Sequence, residues 1–129
     1  MNIKLGVTSV CLGIVGGGAV FAWQAHSHEQ QGRKAAQITG LVVDIACFVG
    51  HDSSGPKHAK CAEACARAGN PLAIYDEATK TLYLPVSLDH KNPNTKLMKY
   101  IETKVKVAGT VMEKAGLKGI AIEKVETVQ

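Results

Sequence analysis

Residues 103 to 128 read TKVKVAGTVMEKAGLKGIAIEKVETV. Val105 and Val107 alternate with Lys104 and Lys106, and Ile120 and Ile122 alternate with Ala121 and Glu123. A period of two with β-branched residues on one face predicts two half-buried strands, over 103–113 and 119–128. The intervening KAGLKG supplies a turn, so the pair reads as a hairpin. Upstream, LAIY (72–75) and TLYLPV (81–86) flank the turn-like DEATK and predict a second hairpin. Placing Tyr75 opposite Tyr83 sets Ile74 against Leu84 and Leu72 against Val86, which sorts apolar residues to one face and tyrosines to the other.

ITGLVVDIACFV (38–49) is rich in β-branched residues and predicts a first strand, followed by the glycine, serine and proline loop GHDSSGPK (50–57). From His58 to Ala68 the alanines, Lys60, Glu63 and Arg67 favour helix, which Gly69 and Asn70-Pro71 stop. SLDHKNPN leads into a short helix over 95–102. The expected class is mainly β: five short strands, one helix between strands three and four and an extra, cysteine-bearing helix between strands one and two. That order, with the KVxVxGxV…GxxxIxIxxV ending, resembles the small Greek-key barrel called the OB-fold. The resemblance implies a fold and no activity.

The N-terminus reads differently. A short basic start, Met1 to Lys4, precedes about 19 residues, Leu5 to Trp23, without a charge. This is the pattern of a signal peptide or an uncleaved membrane anchor over residues 1–25. Residues 26–37 form a flexible polar leader in this reading, and 38–129 one domain, placed in the periplasm or on the outer face of the cytoplasmic membrane. Lys4 is the one charged residue of the first 25, so the remaining chain keeps +3 of the whole chain's +4. Such a mild balance, without a Lys/Arg stripe, does not favour nucleic acid as a partner. The expected partners are a metal ion, another envelope protein and, through the N-terminal tether, a membrane.

With Cys11 set aside, three cysteines remain: Cys47, Cys61 and Cys65. An exported domain using cysteine only for bridges would hold an even number. On a helix His58, Cys61 and Cys65 form one stripe, being three and then four residues apart. Cys47, near the end of the first strand, is separated from His58 by ten residues, and the four together make a Cys3His donor set. Three thiolates and an imidazole suit a transition metal, copper or zinc before iron or haem, and not calcium or magnesium. Asp44, His51 and Asp52 are supporting or alternative ligands. His90, in a distant loop, is read as a surface residue.

Two other readings stand beside this one. A disulfide from Cys47 to Cys61 or Cys65 would close a loop of about 14 to 18 residues, worth roughly 3 kcal/mol. The domain would then be a stapled module that binds a protein or oligosaccharide, with Tyr75 and Tyr83 on its face. A haem-binding or thiol-redox protein is less favoured, because neither CxxCH nor CxxC occurs. Val43, Asp44 and Cys47, with His58, Cys61, Cys65, Gly69 and Pro71, form a V-D-x-x-C…H-x2-C-x3-C-x3-G-x-P pattern. It resembles a group of small bacterial exported proteins carrying the same Cys/His motif, and that resemblance implies an envelope location. The chain is expected to be a carrier, sensor or structural holder of metal rather than an enzyme.

Overall fold

The computed structural model describes residues 32–128. The expectations for residues 1–25 and for the leader up to residue 31 lie outside the described residues. Five strands, β1 (Lys34–Asp44), β2 (Leu72–Asp76), β3 (Thr81–Pro85), β4 (Lys104–Lys114) and β5 (Leu117–Thr127), close into a barrel in the order β1-β2-β3-β5-β4. All neighbours are antiparallel except β3 and β5, which run parallel through Leu84 and Pro85 opposite Gly119 and Ile120. Two helices, α1 (Ile45–His51) and α2 (Ala59–Arg67), separate β1 from β2.

The first strand starts earlier than its β-branched run suggests. Lys34 to Gln37 pair with Val111 to Ala108 of β4, so backbone pairing with a long neighbour makes strand of polar sequence placed in the leader. It also ends earlier, at Asp44, where the side chain accepts hydrogen bonds from the Ala46 and Cys47 amides and starts a helix. Cys47 therefore sits on α1 and not on a strand.

Alternation builds the core. Ile38 and Val42 of β1, Val105 and Val107 of β4, and Ile120 and Ile122 of β5 point inward with Leu72, Ile74 and Tyr83. Instead of one helix over 95–102, two short 3-10 turns, Pro93–Lys96 and Met98–Tyr100, bring Leu97 into this cluster. Asn94, buried, ties the first turn to the barrel: its side chain accepts from the Leu72 amide at 3.0 Å and donates to the Asn70 carbonyl at 2.8 Å.

The β2–β3 hairpin is one residue out of the expected register. Ile74 faces Tyr83 and Tyr75 faces Leu82. The loop is four residues long, Glu77 to Lys80, with Lys80 in the left-handed region at φ 55 and the Asp76 carboxylate accepting from the Ala78 and Thr79 amides. A slip of one residue moves every side chain to the other face. Tyr83 consequently lies in the core, while Tyr75 lies outside and packs on Phe48 of α1, ring centroids 4.7 Å apart. The two tyrosines do not share a surface, so they do not form the common face expected of them.

The last hairpin turns on Ala115 and Gly116, φ 52 and 79, the two positive values that a type I′ turn requires. The turn is tighter than KAGLKG suggested, with β4 reaching Lys114 and β5 starting at Leu117. Opposite Ala108/Gly109 a bulge leaves Glu123 of β5 as the extra residue and bends that strand, and a Cβ on Gly109 would lie 2.3 Å from the Ala121 carbonyl oxygen.

Candidate metal centre

The excursion from residue 45 to 71 leaves and rejoins the barrel at one point. Asp44 pairs with Leu72, and the Ile45 amide donates to the Pro71 carbonyl at 3.1 Å. α2 ends in a Schellman motif, with Gly69 at φ 102, its amide on Ala66 and the Asn70 amide on Cys65. The helix packs on β1 through Ala62 and Ala66, both buried. Beneath it Val43 and Ala73, paired across β1 and β2, are completely buried on the outer face of the sheet. Small side chains on both surfaces let helix and sheet approach closely.

One residue along a helix is a rotation of about 100°. Cys61 and Cys65 therefore stand beside the buried Ala62–Ala66 stripe, turned toward α1. Their sulfurs and that of Cys47 all lie within 4.8 Å of one another, and Cys47 Sγ is 3.9 Å from Cys65 Sγ. All three are free thiols; Cys61 is exposed, and Cys47 and Cys65 are half-buried. Cys61, Cys65 and the returning Cys47 come together as expected, but without His58 of the expected stripe, and Cys47 arrives from a helix. The spacing fits one ion: with metal–sulfur bonds of about 2.3 Å, tetrahedral sulfurs stand about 3.8 Å apart and trigonal ones about 4.0 Å.

The other expected ligands are placed elsewhere. His58 is the residue before α2 and lies outside the group of three; its Nδ1 is 3.0 Å from Oε1 of Glu102. Glu102 was not anticipated. Its side chain is 1% exposed, its φ is 54, and its second oxygen accepts from the Gly55 amide at 2.6 Å. The Glu102 amide donates to the Val42 carbonyl, so this one residue fastens the 52–57 loop and the start of α2 to the barrel. No motif in YIETK announces that role, since the left-handed backbone that aims the side chain is seldom adopted by a glutamate. Asp44 is the cap of α1 rather than a partner of His58. His51 and Asp52 are exposed at the end of α1, where Asp52, at φ 50, donates its amide to the Cys47 carbonyl. Neither belongs to the thiol group.

The Asp44 carboxylate shapes the chemistry of Cys47. Its hydrogen bond to the thiol, followed by desolvation and by the neighbouring Cys65 thiol, pushes Cys47 from an ordinary 9.0 up to about 12. This is the reverse of what a nucleophilic or redox-active cysteine needs, which is a stabilised thiolate. A metal ion, by contrast, displaces the proton outright and supplies the opposing charge.

No protein-family model, curated protein or solved structure matches this chain. The site is accordingly read from its own geometry.

Proposed function

We propose that the chain is a small exported metal-binding protein, a carrier, sensor or structural holder of copper or zinc rather than an enzyme. The observation that carries this reading is the convergence of three unbridged thiols, Cys47, Cys61 and Cys65, from two helices onto a volume that one ion fills. Soft thiolate donors select copper(I), zinc or iron–sulfur chemistry over hard cations. Export rests on the short basic start and the apolar run from Leu5 to Trp23. The strand order, with its parallel β3–β5 closure, supports an OB-like barrel, and the 45–71 excursion is the part such a barrel does not need. An envelope protein that gives or receives the ion is the partner implied.

Anaerobic purification followed by elemental analysis and thiol counting tests the reading. Stoichiometric metal that disappears in Cys61→Ser supports it. Protein without metal and with a single free thiol would overturn it in favour of one disulfide and a spare thiol.

A further inference from the structure

We infer that the thiol cluster is a three-coordinate, all-sulfur site for a monovalent closed-shell cation of the copper(I) class. The inference rests on the metal-binding reading and adds the identity of the ion and the absence of a fourth protein ligand.

The fourth ligand is the deciding point, because the sulfur separations accommodate three or four donors equally well. Among the described residues no imidazole or carboxylate joins the three sulfurs within 4.8 Å. The nearest candidate by sequence, His58, has its Nδ1 committed to Glu102, a carboxylate almost wholly withdrawn from water. That bond leaves Nε2 free, but neither ring nitrogen lies within the sulfur group, and moving the ring onto the ion would pull it from Glu102, whose other partner is the Gly55 amide. Asp44 is engaged in the same way, holding the Ala46 and Cys47 amides at 3.3 and 3.1 Å from a position with no exposure. His58 and Asp44, the two candidates on either side of the thiols, thus already have structural tasks.

Zinc in protein sites is held almost always by four ligands, or by three with water in the fourth place. Copper(I) is saturated by three thiolates in a plane, and thiolates are its preferred donors. The Cys47–Cys65 sulfur separation, 3.9 Å, is compatible with that planar arrangement. Cys61 is the exposed member, so one sulfur of the triangle faces solvent. A thiolate of an acceptor protein can approach there, add to the ion and take it by ligand exchange, without any change in oxidation state. This geometry belongs to a carrier more than to a structural site, where the ion is enclosed.

The test is X-ray absorption on the reduced full-length protein, loaded anaerobically with one equivalent of copper(I) and, separately, of zinc(II). Copper competition against a chromophoric chelator runs alongside. Three sulfur scatterers and no nitrogen are expected with copper, unchanged in His58→Ala, and one sulfur fewer in Cys65→Ser. His58→Gln retains a donor for Glu102 and replaces the alanine variant if that one folds poorly. A nitrogen scatterer that vanishes with His58 would overturn the three-sulfur site and leave a Cys3His metal site in its place. Tight zinc with no copper retained against the chelator would overturn the choice of ion alone. Failure of either metal to bind would overturn the metal-binding reading itself.

Discussion

Asp44 carries two roles that one substitution can separate. Its carboxylate caps α1 through the Ala46 and Cys47 amides, and it sits beside the Cys47 thiol, disfavouring the thiolate. Asparagine is as good an N-cap as aspartate but carries no charge, whereas alanine supplies neither. Losing a cap costs about 0.5–2 kcal/mol, and the complete burial of Asp44 puts Asp44→Ala toward the upper end, about 1–2 kcal/mol. In a domain of this size each kcal/mol moves the melting temperature by roughly 4–8 °C. Asp44→Ala should therefore melt roughly 5–15 °C lower, and Asp44→Asn close to the parent, as followed by circular dichroism. Both variants should bring the Cys47 thiol down from about 12, which the pH dependence of iodoacetamide labelling at Cys47, mapped by mass spectrometry, reads directly. The sign for stability follows. The folded chain holds this proton more tightly than the unfolded one, so the contribution is complete below the ordinary 9.0 and is lost as pH rises toward 12. Asp44→Asn should flatten that alkaline loss. An asparagine variant as unstable as the alanine one, or a Cys47 labelling profile identical to the parent, would refute the division of roles.

Further consequences concern the barrel as well as the thiols. Gly109→Ala and Gly40→Ala place a Cβ 2.3 Å and 2.4 Å from the backbone oxygens of Ala121 and Tyr75. Each should cost about 1–3 kcal/mol or more in urea unfolding, because backbone is the part that must yield. Asn94→Ala leaves the buried Leu72 amide without an acceptor and should cost about 1–3 kcal/mol by the same measurement. Metal binding must expel the Cys47 proton, so affinity for copper(I) should climb with pH through the neutral and mildly alkaline range in chelator competition. A flat profile would count against Cys47 as a ligand.

The barrel was legible where side-chain alternation and turn chemistry agree, as they do in β4 and β5. It was less legible where backbone pairing overrides composition. Lys34 to Gln37 become strand because β4 is long enough to pair with them. The Tyr75/Tyr83 register depended on a four-residue loop with lysine in a glycine-like conformation, which DEATK does not announce. At the site, the i, i+4 spacing of Cys61 and Cys65 and the short return from Cys47 could be read directly. The end of β1 could have been, since Asp44 ahead of a period change is a capping signal. The diversion of His58 to Glu102 could not, because the two are 44 residues apart and meet only through the barrel.

The central claim is that one ion is held by three thiolates together. Reduced, metal-free protein titrated with copper(I) and pulse-alkylated at each point tests it, with the modified peptides of Cys47, Cys61 and Cys65 counted by mass spectrometry. All three thiols should become protected in parallel and completely at one equivalent. Protection of fewer than three at that point, or two thiols lost as a Cys47–Cys65 bridge with no metal retained, would contradict it.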